Sequence, residues 1–262
     1  MGILNVTPDS FSDGGRFHAL EAAISHAEHM MDSGVDIIDI GGESSRPGAL
    51  PVPLEEELKR VLPVIFALRD CGKPLSIDTC KPAVMREALD AGIDMINDIT
   101  GFRNGNLLDA VKDSDCGLCI MHMQAAPTTM QNQPAYADVV DDVTAFLRER
   151  LVECATNGID MQRICIDPGF GFGKSLEHNL ALLKNIAALT ATLQVPLLAG
   201  LSRKSMIGTL TGKPIEQRGA GSLAAALAAA ANGAALLRVH DVMETADALT
   251  VWRAASGSAA SR

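Results

Sequence analysis

Short apolar runs alternate with helix-spaced patterns along almost the whole chain. Runs at residues 2–5, 35–40, 74–78, 95–99, 117–122, 163–167, 196–200 and 235–239 have the length of buried strands. Between them, stretches such as 19–31 and 82–89 repeat apolar residues every three or four positions, which predicts amphipathic helices. Gly34, Gly72, Gly92, Gly158 and Gly233 each precede a strand, where a left-handed residue closes the helix before it. Pro82 suits a first helical turn, where its missing N–H costs nothing. Strands apolar on both faces, each followed by a helix, call for a parallel sheet covered by helices. Eight such units in 262 residues predict an α/β fold, a (β/α)8 barrel forming a single domain over 1–255, with a loose tail at 256–262. An open doubly wound sheet would need a glycine-rich phosphate fingerprint after its first strand, and none follows.

In such a barrel the C-terminal strand ends converge on one mouth. The polar residues there are Asn5; Asp39, Glu43, Ser45 and Arg46; Asp78; Asn97 and Asp98; His122; Asp167; Ser202, Arg203 and Lys204; and Arg238, His240 and Asp241. Opposite connections are short and rely on glycine and proline. Asp78, Asn97 and Asp167 are inward acceptors or amides, suited to a flat heterocycle rich in N–H donors. Any one of them could instead cap its own following helix, a role that Asp98 rather than Asn97 fits. Arg46, Arg203, Lys204, Arg238 and His240 form a cationic set on the last two strand ends and nearby loops. Barrels often bind phosphate there. A diphosphate held by Arg238, His240 and Asn5, with a hard divalent cation on its oxygens and on the Asn5 carbonyl, is the reading of that set. In Gly169-Phe170-Gly171-Phe172-Gly173-Lys174, the glycines allow close backbone approach and the aromatics offer a flat apolar wall. His18, His26, His29 and His178 are expected to face solvent, and a longer loop is expected after strand five, at 127–134.

Composition narrows the classes. A net charge of −10 argues against a nucleic-acid or anionic-membrane surface, while local cations can still hold a small anion. The 47% apolar content with few aromatics predicts an aliphatic core. Six cysteines without a second C-x-x-C pair make neither a zinc site nor a disulfide framework, and Cys119 and Cys165 fall inside strands. With no signal peptide and no apolar run of bilayer length, a reduced, cytoplasmic protein is expected.

The motifs carry a resemblance. Asn5-Val6-Thr7-Pro8-Asp9-Ser10-Phe11-Ser12-Asp13-Gly14-Gly15, Gly41-Gly42-Glu43-Ser44-Ser45-Arg46-Pro47-Gly48, Ser76-Ile77-Asp78-Thr79 and Ile96-Asn97-Asp98-Ile99 come first. Met121-His122-Met123-Gln124, the glycine-rich segment after Asp167-Pro168, Ser202-Arg203-Lys204-Ser205 and Arg238-Val239-His240-Asp241 follow. In this order, from Met1 to about Val251, the chain resembles the bacterial dihydropteroate synthases.

The resemblance implies condensation of 6-hydroxymethyl-7,8-dihydropterin diphosphate with 4-aminobenzoate, giving 7,8-dihydropteroate and diphosphate, a step of folate synthesis. It implies pterin contacts from Asp78, Asn97, Ile99, Met121, Asp167 and Lys204, and diphosphate contacts from Asn5, Arg238 and His240. Asn5 would also meet Mg²⁺, with Asp13 closing near it. Ser45, Arg46, Pro47, Phe172, Lys204 and Ser205 would frame the aminobenzoate. Asp78, Lys204 and Asp13 are the expected catalytic groups. Sulfonamides, which imitate the second substrate, and a homodimer through late helices (222–231 being the candidate surface) are implied too. Ser45 stands where threonine is common. Family members usually carry a further stretch before the first strand, so a trimmed start or an open barrel floor is expected. A pterin-binding methyltransferase domain, or a non-catalytic pterin or sulfonamide binder, would share the pocket without needing the diphosphate cations.

Overall fold

A computed structural model describes residues 1–7, 15–44, 46, 48–124 and 134–257, without the side chains of 16–18. Eight parallel strands alternate with helices: β1 Gly2–Asn5, β2 Ile38–Gly41, β3 Leu75–Asp78, β4 Met95–Asp98, β5 Gly117–Met121, β6 Ile164–Asp167, β7 Leu198–Ala199 and β8 Leu236–Leu237. The first six form one sheet in sequence order, and β7 pairs with β8. Single bridges, Ile166 to Leu197 and Gly2 to Val239, join the two parts and close the wall into a barrel. The helices are α1 Gly15–Asp32, α2 Leu54–Leu68, α3 Pro82–Ala91, α4 Gly105–Val111, α5 Val139–Thr156, α6 Leu176–Lys184, α7 Ile186–Leu193, α8 Ser205–Thr211, α9 Gly219–Ala231 and α10 Val242–Ser256.

Strand alternation decides what the barrel encloses. Ile38, Ile40, Leu75, Ile77, Ile96, Leu118, Ile120, Ile164 and Ile166 point outward and pack against the helices in the main core. The alternate positions point inward. Low in the barrel they are Met95, Cys119, Cys165 and Leu198, a small separate apolar layer. Towards the mouth the inward set is polar: Asp39, Ser76, Asp78, Asn97 and Asp167 are all buried. Strands expected to be apolar on both faces are therefore apolar outside and mixed inside.

All five glycines expected at helix ends have positive φ, from 77° at Gly72 to 104° at Gly92. Pro82 opens α3 as expected. Strands seven and eight are shorter than their apolar runs. Pro196 has no N–H to give a ladder, and β7 begins only at Leu198. All six cysteines are free, with Cys119 and Cys165 buried inside the barrel. No described helix is long and apolar enough to cross a membrane. The tail residues 258–262 and most of the 127–134 loop lie outside the described residues.

Candidate active site

The register of the ladder carries four side chains to one rim. Asp78 stands opposite Asn97 across β3 and β4, and Met121 opposite Asp167 across β5 and β6. Each is inward-facing near a strand end, and each is at most 8% exposed. Gly200 marks where the far wall meets them. A Cβ there would lie 3.8 Å from both Asp167 Oδ2 and Lys204 Nζ, and 3.9 Å from Arg238 Cβ.

Below this rim lies a network built around Asp39. Its carboxylate accepts from Ser76 Oγ at 2.6 Å, Asn97 Nδ2 at 3.3 Å and Arg238 Nε at 2.6 Å. Arg238 donates through Nη2 to Asp78 at 2.8 Å. The guanidinium fork thus bridges two carboxylates from neighbouring strands, a geometry that lysine lacks. Burial pushes the Asp78 carboxyl up to about 7 against the pull of Arg238, with Asp39 and Asp98 adding to the rise. Burial also raises Asp167, opposed by Lys204. Burial lowers Lys204 to about 8, opposed by Asp167. Burial disfavours the Arg238 charge, but Asp39 and Asp78 outweigh it and hold the group above its usual range. Such pushed-apart acids and bases gather at functional sites.

An apolar wall adjoins the charges. Met121 and Met123 pack with Ile99 and Phe172, and the Lys204 ammonium sits 4.6 Å from the centre of the Phe172 ring. Asp98, the last residue of β4, does not cap the following helix as its position suggested: it accepts from the backbone N–H of Thr100 at 2.8 Å and of Phe102 at 2.7 Å in the turn after the strand, while Asn104 caps α4.

Asn5 and His240 share a second space. They line a cavity of about 530 Å³ together with Arg203 and Asp241, facing His26 and His29 on α1. The His240 ring nitrogen Nδ1 lies 3.0 Å from Ser202 Oγ, and burial, with Arg203 and Arg238 nearby, lowers its pKa to about 4. Arg203 is occupied by Asp241, 3.2 Å from its Nε. Arg46 and Ser205 are exposed. The stem of the Arg46 loop is anchored where Glu43 pairs with Lys81, which also holds the buried Glu57. Glu57 accepts from Thr79 Oγ1 at 2.7 Å, next to Asp78. Asp13, Ser45 and Pro47 lie outside the described residues.

Two polar residues singled out in the sequence have other surroundings than expected. His122 turns its Nδ1 to Lys174 at 2.9 Å and packs edge-on against Phe146, with centroids 4.9 Å apart. His178 does not face solvent: it is half-buried, closes the capping box of α6 with Ser175 and meets Tyr136 edge-on. Asp39 was placed at the mouth but its buried partners were not foreseen, and the buried contacts of Met123 and Lys174 were missed by sequence reasoning.

The glycine loop after β6 tests this packing. A Cβ on Gly169 would fall 1.9 Å from the His122 carbonyl oxygen, at a φ of +72°. Gly158 has the same hand but nothing within 4 Å. In urea unfolding, Gly158→Ala should cost about 1 kcal/mol and Gly169→Ala about 3 kcal/mol or more, because there the backbone itself must shift.

Residues 1–240 match the pterin-binding enzyme family. The chain belongs to that family. The dihydropteroate synthase of Haemophilus influenzae is 50% identical over 261 residues, covering 98% of this chain and 94% of that protein. Among solved structures, the Yersinia pestis dihydropteroate synthase with a sulfonamide drug is 46% identical with a TM-score of 0.93, covering 98% of this chain and 94% of that one. The Burkholderia cenocepacia dihydropteroate synthase complexed with 7,8-dihydropteroate is 52% identical with a TM-score of 0.89, covering 100% of this chain and 92% of that one. These likenesses run the length of the barrel.

Proposed function

We infer that this chain is a dihydropteroate synthase, a transferase that joins the methylene of 6-hydroxymethyl-7,8-dihydropterin diphosphate to the amine of 4-aminobenzoate. The observation that carries the reading is the rim on which Asp78, Asn97 and Asp167 converge with Lys204 and Arg238, in a chain about half identical to synthases over its whole length.

In this reading the carboxylates and the Asn97 amide hold the N–H edge of the pterin, with Met121 and Ile99 against its face. The carbon–oxygen bond to diphosphate breaks with its electron pair on oxygen. Asp78 stabilises the positive charge that spreads into the ring, Lys204 stands between the pterin and the Phe172 wall, and His240 and Asn5 would meet the departing anion. Arg238, whose fork is fixed by Asp39 and Asp78, would add its charge to the diphosphate side. The arylamine, held between Phe172, Arg46 and the Ser45–Pro47 segment, forms the new carbon–nitrogen bond and releases a proton to solvent. An arylamine is nucleophilic at neutral pH, so the site needs no strong base. An alkyl-type transfer follows from this scheme, as does recognition of sulfonamides by the same wall.

Mg²⁺ fits one corner of the site. Asn5 stands at the end of β1 with its Oδ1 3.4 Å from where a Cβ of Gly41 would sit, so glycine leaves that oxygen approachable. Among the described residues no cluster of three or more acids, histidines or cysteines could cage a metal. That donor set suits an ion that keeps its waters and takes substrate phosphate oxygens. When bound, Mg²⁺ would spread the charge of the leaving diphosphate. Chelation with EDTA should abolish turnover, and added Mg²⁺ should restore it. A cytoplasmic homodimer belongs to the same reading: Leu223 and Leu227 are half-exposed on α9, and Met243 and Val251 on α10 are 47% and 70% exposed. A monomer mass by light scattering would sink the dimer.

Incubation with the pterin diphosphate, Mg²⁺ and 4-aminobenzoate, followed by diphosphate release, tests the whole reading. Release that requires both organic substrates supports it. A chain that binds pterin but releases nothing is a binder, and one that uses the pterin as a methyl carrier is a methyltransferase.

A further inference from the structure

One amine beneath the rim has no part in the scheme above. Lys174 follows the loop at 169–173, which joins β6 to α6 and belongs to neither. Its Nζ lies 3.0 Å from the Gly169 carbonyl oxygen, 3.0 Å from that of Phe172 and 2.9 Å from Nδ1 of His122. An ammonium carries three N–H donors, and each has an acceptor here. His122 can accept because burial, with Lys174 and Arg103 nearby, lowers its pKa to about 3 and keeps the ring neutral. Lys174 itself is only 5% exposed and forms no ion pair among the described residues, an arrangement that costs free energy unless its hydrogen bonds are complete. Burial accordingly lowers its pKa to about 7.

The other side of the loop meets Lys204 at successive residues. The Phe170 carbonyl accepts from Lys204 Nζ. A Cβ at Gly171 would sit 3.0 Å from Lys204 Cδ. The Phe172 ring covers the same ammonium at 4.6 Å. Three donors below and one lysine above therefore hold the loop between them.

We propose that Lys174 is a positioning residue for the second substrate: its ammonium sets the height of residues 169–173 and so places the Phe172 ring as the wall for an arylamine. The assignment rests on the synthase reading. It differs from the roles given to Lys204 and Phe172, because Lys174 acts only through the loop.

The experiment compares the full-length protein with Lys174→Met, which keeps the length of the side chain and removes the donors. Diphosphate release should show the KM for 4-aminobenzoate raised about tenfold, with the KM for the pterin diphosphate and kcat each within about threefold. In a Phe172→Ala background the same substitution should move the 4-aminobenzoate KM less than about twofold, since the wall it places is gone. Equal rises in both KM values, no rise, or full additivity with Phe172→Ala would overturn the proposal. If Lys174→Met does not melt cooperatively, Lys174→Gln, which retains two donors, is measured instead, and failure of both to fold makes the residue merely structural and ends the idea. Amide exchange of residues 169–173 without ligand should quicken in the variant, and unchanged exchange also overturns it. Wild-type protein that releases no diphosphate sinks the synthase reading and the second-substrate role with it, while exchange still reports whether Lys174 fixes the loop.

Discussion

Replacing Asp78 with alanine should lower kcat by on the order of 10²–10³-fold while weakening pterin binding far less. The carboxylate is 8% exposed and is aimed at the rim from β3. Its charge there opposes a positive charge that exists only while the carbon–oxygen bond is breaking, so the loss falls on turnover. Burial lifts its pKa to about 7. For wild type, kcat/KM for the pterin substrate should therefore rise with pH until about 7 and then level off, as the ionised form takes over. That value belongs to the linked cluster of Asp78, Asp39 and Arg238 rather than to one proton. Asp78→Asn should remove the acid limb. Parallel losses in kcat and pterin affinity, or an acid limb that survives in Asp78→Asn, would reduce Asp78 to a binding group.

Arg238→Met should destabilise the fold by about 3–5 kcal/mol, the cost of leaving buried carboxylates without their cation. The guanidinium is 19% exposed, and Asp39 and Asp78, at 0% and 9% of their side-chain surface, both depend on it. Without Arg238 the folded-state pKa of Asp78 moves further above its unfolded value. A group raised in this way contributes stability below its unfolded pKa and loses it as pH rises through the folded one. The variant should therefore be closest to wild type near pH 5 and furthest from it near pH 8, as read by urea midpoints. Arg238→Lys restores one charge but not the fork, and should recover only part of the loss. A variant as stable as wild type at pH 8 would mean that Asp39 and Asp78 find other partners.

The barrel was legible because burial on both sides leaves an unbroken apolar signature in each strand, and because glycines stop the helices that separate them. Asp78, Asn97 and Asp167 were legible because a polar residue closing an apolar run has few places to go except the mouth. Asp39 shows where this stops. Its partners Ser76, Asn97 and Arg238 are 37, 58 and 199 residues away, and only the parallel register brings them together. Lys174 was hidden for another reason: a lysine after three glycines looks like a solvated loop residue until the chain folds back over it. His178 was misjudged because local capping and a tertiary contact with Tyr136 withdrew it from water. The last two strands were overestimated because apolar content marks burial, not ladder length.

That brevity has a mechanical consequence. Six strands form a continuous ladder, whereas the strip of β7 and β8 is stitched to its flanks by one bridge on each side. Spreading the cylinder at those two seams would leave the six-stranded arc intact. The strip leads directly into Lys204 on one side and Arg238 and His240 on the other. Compliance in this enzyme is thus concentrated beside its cations, while the acids opposite stand on the stiffest part of the wall.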